Sequence, residues 1–160
     1  MARTRNPARW SAIIPLSCVL CVASPFAASA ADEPQNVVSY RQAVMKAIGG
    51  HTGAIAGVVK GEVSYVGHVE GHAHAIAELA KLIPTIFPEG TGPDQAETRA
   101  LPKIWEDWAG FEAAAERLQQ EASKLAEVAR GGDAAAIGQQ MGVMGKEGCG
   151  GCHKPFRKPK

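Results

Sequence analysis

Three features are missing from this sequence. No convincing alternation of apolar and polar residues predicts a β-strand, which argues against folds that contain a sheet. No acidic residue occurs before Asp32, so the first part of the chain is purely basic. No large net charge of either sign is present, since 17 basic residues face 16 acidic ones, and this balance gives no reason to expect a nucleic-acid partner.

The basic, acid-free start of the chain has the form of a secretory signal peptide. Three arginines precede an apolar run at residues 10–23, and Ala28-Ser29-Ala30 is a small-residue cleavage signature. A retained membrane anchor is the alternative, but Pro15 interrupts the run, which is shorter than the roughly 20 residues of a spanning helix. We therefore predict that residues 1–30 are removed on export to the periplasm, which leaves the protein without a membrane anchor.

Removal of this leader leaves residues 31–160 as one mature domain. These 130 residues are enough for a single hydrophobic core. The formal net charge changes from +1 to −2, because the leader contains three arginines and no acid. Two of the four cysteines, Cys18 and Cys21, are lost with the leader, and the residues before them match a lipidation signal poorly.

Four segments of the mature chain repeat apolar residues at the helical period. They lie at residues 37–59, 66–83 and 102–129, and in a fourth segment that is capped by Asp133 and has its apolar stripe from Ile137 to Cys152. A long irregular segment that we name the crossing loop, Thr85–Leu101, separates the second from the third, and a loop of this length usually crosses a fold or serves a site. Together these features predict an all-α protein, an antiparallel four-helix bundle.

The strongest chemical signal is Cys149-Gly150-Gly151-Cys152-His153, the attachment motif of c-type haem. On a helix the two thiols lie on one face, where both can reach the vinyl groups of one haem, and the next imidazole can ligate its iron. A redox dithiol would be expected at a strand-to-helix turn, a zinc site needs more soft ligands, and a disulfide suits helical spacing poorly. We predict one haem c, attached covalently through Cys149 and Cys152, with its iron bound by His153 on the last helix.

With this motif in place, the chain resembles the class II c-type cytochromes, the family of cytochrome c prime and its low-spin relatives. The resemblance rests on the haem motif followed by Lys154-Pro155-Phe156-Arg157, on Tyr40-Arg41-Gln42 in the first helix, and on Pro102-Lys103-Ile104-Trp105 at the start of the third. It covers essentially all of residues 31–160. It implies a four-helix bundle that carries its haem on the last helix.

The resemblance also implies roles for residues of the first helix. Arg41 and Gln42 match residues that approach the haem propionates. Met45 matches the distal haem position, which usually holds a non-ligating apolar residue in five-coordinate members and a methionine bonded to iron in the low-spin branch. The segment Ile83–Pro88 looks like the corresponding loop of the low-spin branch, so we predict that Met45 ligates iron. The alternative is that Met45 only packs in the core.

These assignments predict a periplasmic one-electron carrier whose iron is held between His153 and Met45. A closed coordination shell limits substrate chemistry, so we do not expect an enzyme, although an open site would permit weak peroxidase activity. The expected partners are redox proteins of the cell envelope, and a basic patch at the chain end is a candidate docking surface: Lys154, Arg157, Lys158 and Lys160. The resemblance implies a monomer, or a homodimer formed through the first two helices. The alternative function is that of a five-coordinate cytochrome c prime, which binds nitric oxide or carbon monoxide.

The histidines of the second helix are weak candidates for a metal site. His68 and His72 are four residues apart and could hold a divalent metal, but two ligands make a weak site. An exposed polar face explains these histidines better. His51 follows Met45 by six residues on a different side of the first helix, and we expect it to be non-ligating.

Overall fold

The computed structural model describes residues 32–159, and the predicted signal peptide lies outside the described residues. Within that range the chain is an all-α bundle of four antiparallel helical segments, as predicted. The helices are α1 (Pro34–Val59), α2 (Val69–Leu82), α3 (Lys103–Glu106), α4 (Trp108–Ala129), α5 (Ala134–Val143) and α6 (Gly150–Phe156). None of the helices described combines the length and the apolarity that a membrane span requires.

The core lies between the apolar faces of these helices. On α2 the predicted stripe is fully buried and continues into the short 3₁₀ turn that follows, Ile83–Ile86. On α4, Glu121 and Ala126 are buried beside a series of buried apolar residues that recurs every three or four positions: Phe111, Ala115, Leu118, Ala122, Leu125 and Ala129. Burial of one such leucine side chain stabilises the fold by about 1.5–3 kcal/mol. The helical period of the sequence therefore predicts the core of α2 and α4 correctly.

The predicted third helix is interrupted near its start. Instead of one helix from Pro102, the structure has the single turn of α3, then a break at Asp107, then α4. Asp107 leaves the helical region, with φ −128° and ψ 59°, and its carboxylate accepts a hydrogen bond from the Gly110 backbone N–H at 3.2 Å. The prediction of a continuous helix was wrong because this aspartate acts as an N-cap in the middle of the apolar pattern.

The predicted fourth helix is continuous but not uniform. The segment Met144–Cys149 between α5 and α6 is a π-helical turn, and Pro155 lies inside α6. We call α5, this π-turn and α6 together the terminal helix. A π-turn accommodates one extra residue per turn, and such turns are frequent at functional sites. Here the turn ends at Cys149, the first residue of the haem motif.

The crossing loop pairs with the segment at the end of α6. Its irregular part starts at Phe87, because the 3₁₀ turn extends the second helical segment to Ile86. Near its other end, Ala100 forms an isolated antiparallel β-bridge with Arg157, and the Leu101 N–H donates to the Phe156 carbonyl at 3.0 Å. The loop therefore crosses the fold and reaches the end of α6, next to the haem motif.

Candidate functional site

The two cysteines of the motif lie at the junction of the π-turn and α6. Cys149 ends the π-turn, Cys152 lies in α6, and both are half-buried free thiols. Burial raises the pKa of Cys149, and it raises the pKa of Cys152 to about 11. Because both thiols stay protonated at neutral pH, they lack the thiolate character of a redox dithiol. The chemistry of the pair therefore favours attachment of a group over dithiol redox chemistry.

His153 follows on the same helix and is also half-buried. Burial lowers the pKa of its imidazole, and the positive charges of Arg157 and Arg99 lower it further. The ring is therefore neutral at neutral pH, and a neutral imidazole has a free nitrogen lone pair with which to bind a metal.

A cavity of about 500 Å³ lies beside these residues. Four parts of the chain form its walls: α1, the crossing loop, the α3–α4 region, and α6 with the residue that follows it. The lining residues are Arg41, Gln42, Met45, Lys46, Phe87, Thr98, Arg99, Ala100, Ile104, Phe111, Cys152, His153, Phe156 and Arg157. The cavity therefore brings together five of the six predicted site residues, and Cys149 lies three positions before Cys152 beside it.

Aromatic side chains build the apolar part of this wall. Phe111 is only 1% exposed, and its ring contacts those of Phe87 and Phe156 edge-on, with centroids 4.9 and 5.5 Å away. The Trp108 ring also contacts Phe111, with ring centroids 5.6 Å apart. Phe87 and Phe156 belong to segments without a helical stripe of their own, so this cluster forms only in the assembled bundle.

Met45 contributes the α1 side of the cavity. It is half-buried, packs against the hydrophobic core, and lines the same cavity as Cys152 and His153. The two methionines of the terminal helix, Met141 and Met144, pack in the core and are not among the lining residues. Met45 is therefore the methionine positioned to influence a group held by His153, and its bonding to iron stays a prediction.

Arg41 is not an ordinary surface arginine. It is 3% exposed, and its guanidinium donates hydrogen bonds to Thr91 Oγ1 at 3.0 Å, to the Thr91 carbonyl at 2.9 Å and to Thr98 Oγ1 at 2.8 Å. It also lies over the Phe87 ring, 4.6 Å from the centroid. Arg41 thus ties the crossing loop to α1 at the cavity wall. Gln42 is exposed at the cavity rim, and the propionate contacts of both residues stay predictions.

The charged side chains around the cavity all have one sign. Four cations line it, Arg41, Lys46, Arg99 and Arg157, and no carboxylate is among its lining residues. Arg99 and Lys46 were not recognised in the sequence, where the placement of Arg99 within the crossing loop was the only available signal. An apolar chamber with a cationic rim, two thiols and a neutral imidazole fits a flat apolar group that carries two carboxylates, which is the chemistry of haem.

Comparison with known proteins gives a consistent result. The family model described as Cytochrome C′ matches residues 36–157. Cytochrome c′ of Rhodospirillum rubrum is 38% identical over 81% of this chain and 86% of its own length. Cytochrome c-556 of Agrobacterium tumefaciens (strain apple 185) is 36% identical over 75% of this chain and 93% of its own. Among solved structures, the nitric oxide complex of a cytochrome c prime variant from Alcaligenes xylosoxidans superposes with a TM-score of 0.70 at 29% identity, covering 80% of this chain and 98% of that one.

Proposed function

This chain belongs to the cytochrome c′ family, whose members carry a covalently attached haem c with its iron, and we propose that it is an exported protein that binds small diatomic gases such as nitric oxide and carbon monoxide. The haem supplies the iron at which such a gas binds. The protein supplies the covalent anchors Cys149 and Cys152, the iron ligand His153, and the walls that decide what else approaches.

The observation that carries this proposal is the apolar wall of the cavity. Phe87, Ile104 and Phe111 are buried there, and Met45 packs against the core beside them. An uncharged diatomic molecule loses little hydration when it enters an apolar space, whereas water and anions lose much more. The walls therefore select for gases, and the relative from Alcaligenes xylosoxidans was solved with nitric oxide bound.

The cationic side chains at the cavity are positioned to hold the carboxylates of the haem. Arg157 forms the isolated bridge with Ala100, and Arg99 precedes Ala100, so this pairing keeps both arginines close together at the cavity. Arginine presents paired N–H donors that match a carboxylate. We propose that Arg99 and Arg157 act with Arg41 and Gln42 on the propionates.

A second candidate is electron transfer with Met45 as an iron ligand. Its support is that Met45 lines the same cavity as His153, and that cytochrome c-556 is about as similar to this chain as cytochrome c′ is. A thioether opposite a neutral imidazole would raise the reduction potential and close the site to gases. A redox partner with an acidic surface would then dock on the basic groove formed by Arg99, Lys154, Arg157 and Lys158. Neither candidate is an enzyme.

Spectra of the haem-loaded protein and of Met45→Leu separate the two candidates. For gas binding we expect a high-spin ferric spectrum, ready carbon monoxide binding in the reduced state, and little change on substitution, because leucine keeps the apolar wall. Met141→Leu, on α5 and outside the cavity, is the control for loss of a methionine. A low-spin ferric spectrum with a weak far-red sulfur-to-iron band, converted to high spin by Met45→Leu alone, would replace gas binding with electron transfer.

A further inference from the structure

Two histidines face each other where α1 packs against α2. The Nδ1 atoms of His51 and His72 are 2.9 Å apart, and the ring centroids are separated by 5.2 Å at an interplanar angle of 51°. Both side chains are half-buried, and neither lines the haem cavity. The expectation of an exposed polar face is therefore wrong for His72, because that expectation treated each helix alone.

The packing of the two helices fixes this pair. Each histidine lies three residues after one buried apolar residue of its helix and four residues before another: Ile48 and Ile55 on α1, and Val69 and Ile76 on α2. Both imidazoles thus lie at the edge of the buried stripe, on the sides of α1 and α2 that meet. A pair of donors held by a packed core loses little conformational freedom when it binds a ligand, and this favours affinity.

The distance between the two Nδ1 atoms limits what the two rings can share. At 2.9 Å, one Nδ1 donates a proton to the other, or both bind the same metal ion. With bonds of about 2.0 Å, neighbouring ligands of a square-planar ion are about 2.8 Å apart, whereas tetrahedral ligands are about 3.3 Å apart. The separation of 2.9 Å is that of a hydrogen bond in the metal-free pair, and it is also that of neighbouring ligands of a square-planar ion, so such an ion can bind with little movement of the two rings.

We propose that His51 and His72 form a copper(II) site that binds one ion through their two Nδ1 atoms, in adjacent positions of a tetragonal shell completed by water. Imidazole nitrogen in tetragonal geometry suits Cu²⁺, which also binds most tightly in the divalent first-row series. Among residues 32–159 no group of three or more His, Cys, Asp or Glu side chains is arranged to hold a metal, so a closed four-ligand zinc site is not available.

A further imidazole near the pair, that of His68, does not complete a third position. His68 lies one turn before His72, but it is exposed and stacks on Tyr65 with ring centroids 5.1 Å apart. It is therefore not a ligand in this arrangement.

Titration of the haem-loaded protein with Cu²⁺ tests the proposal, because the ferric haem and copper signals separate in electron paramagnetic resonance. We expect one tight site per chain whose signal shows coupling to two nitrogens. His51→Gln and His72→Gln should each weaken binding at least about tenfold, since even loss of an outer-shell partner costs that much. His74→Gln is the matched control, because His74 is exposed on the same helix and pairs with Glu70, and it should bind Cu²⁺ as the unmodified protein does.

The double variant and a second metal make the test stricter. If both rings hold one ion, His51→Gln with His72→Gln should bind little more weakly than either single variant, and Zn²⁺ should bind more weakly than Cu²⁺. Circular dichroism of each variant shows whether the bundle remains folded. Undiminished Cu²⁺ binding by either single variant, a signal without nitrogen coupling, or Zn²⁺ binding as tight as that of Cu²⁺ would overturn the proposal.

Discussion

The helix α4 and the terminal helix are nearly equal in length but differ in regularity. The 22 residues of α4 form one uninterrupted α-helix, whereas the terminal helix changes from α to π and back to α. The segment 108–129 contains one glycine, while the segment 134–156 contains six glycines and Pro155. In a helix interior each glycine costs about 1 kcal/mol and a proline about 3 kcal/mol relative to alanine.

Because of this difference, the two helices have different roles in the protein. The apolar stripe of α4 holds the core together, and the residues of α4 have high helical preference. The terminal helix carries the haem motif on a backbone of low helical preference, so its order depends on packing against α4 and on the group that it anchors. We therefore expect loss of the haem anchors to loosen the terminal helix and to leave α4 intact.

The largest expected effect comes from removing both anchors. Cys149→Ala with Cys152→Ala should abolish covalent attachment, so that acid–acetone extraction removes all of the haem. Hydrogen exchange should accelerate in residues 134–156 and stay slow in α4, because only the terminal helix loses a covalent support.

A neighbouring substitution controls for damage to the helix itself. Gly151→Ala adds a Cβ that meets no other atom within 4 Å, and it leaves both thiols in place. It should keep the haem on the polypeptide. Haem that is extracted from the unmodified protein would contradict the assignment of both cysteines, and equal acceleration of exchange in α4 would contradict the comparison of the two helices.

A core truncation on α4 should have the next largest effect. Phe111 is buried among Phe87, Trp108 and Phe156, so Phe111→Ala should lower the free energy of unfolding by about 3–5 kcal/mol. Denaturant unfolding of the haem-loaded protein measures this change. Glu116→Ala, on the exposed side of the same helix, should change it by less than about 0.5 kcal/mol. Similar values for both variants would mean that the α4 stripe does not carry the core.

The comparison of α4 with the terminal helix also shows which features can be predicted from the sequence and why others cannot. The stripes of α2 and α4 and the haem motif are local patterns, and each lies where it was predicted. The break at Asp107 was missed because a capping carboxylate and a solvated one look alike in a continuous apolar pattern. The π-turn was missed because the apolar residues on both sides of it are compatible with one continuous helix.

Contacts between residues that are far apart in the chain could not be predicted from the sequence either. Arg41 reaches Thr91 and Thr98, which lie 50 and 57 residues further along the chain, and no local period relates them. His51 and His72 meet for the same reason, since only the packing of α1 against α2 sets their distance. Candidate residues can be found by type and spacing, but their partners depend on the assembled bundle.

The smallest expected effect tests whether the terminal helix depends on close packing just before the motif. A Cβ on Gly148 would lie 2.9 Å from Leu118 Cδ1 and 3.0 Å from Leu118 Cα, so Gly148→Ala must push the terminal helix away from α4. Overpacking of this kind costs about 1–3 kcal/mol, and the better helical preference of alanine returns up to about 1 kcal/mol. We expect unfolding free energy to fall by about 1–2 kcal/mol, with a change in the haem spectrum because Cys149 is the next residue.

Gly145 offers a matched control within the same π-turn. A Cβ there meets no other atom within 4 Å, so Gly145→Ala gains helical preference without a clash and should stabilise the protein by up to about 1 kcal/mol. The two substitutions are chemically identical and three residues apart, yet their effects on denaturant unfolding should have opposite signs. If both stabilise the protein, the terminal helix has room to move at Gly148, and contact with α4 does not hold the haem motif in place.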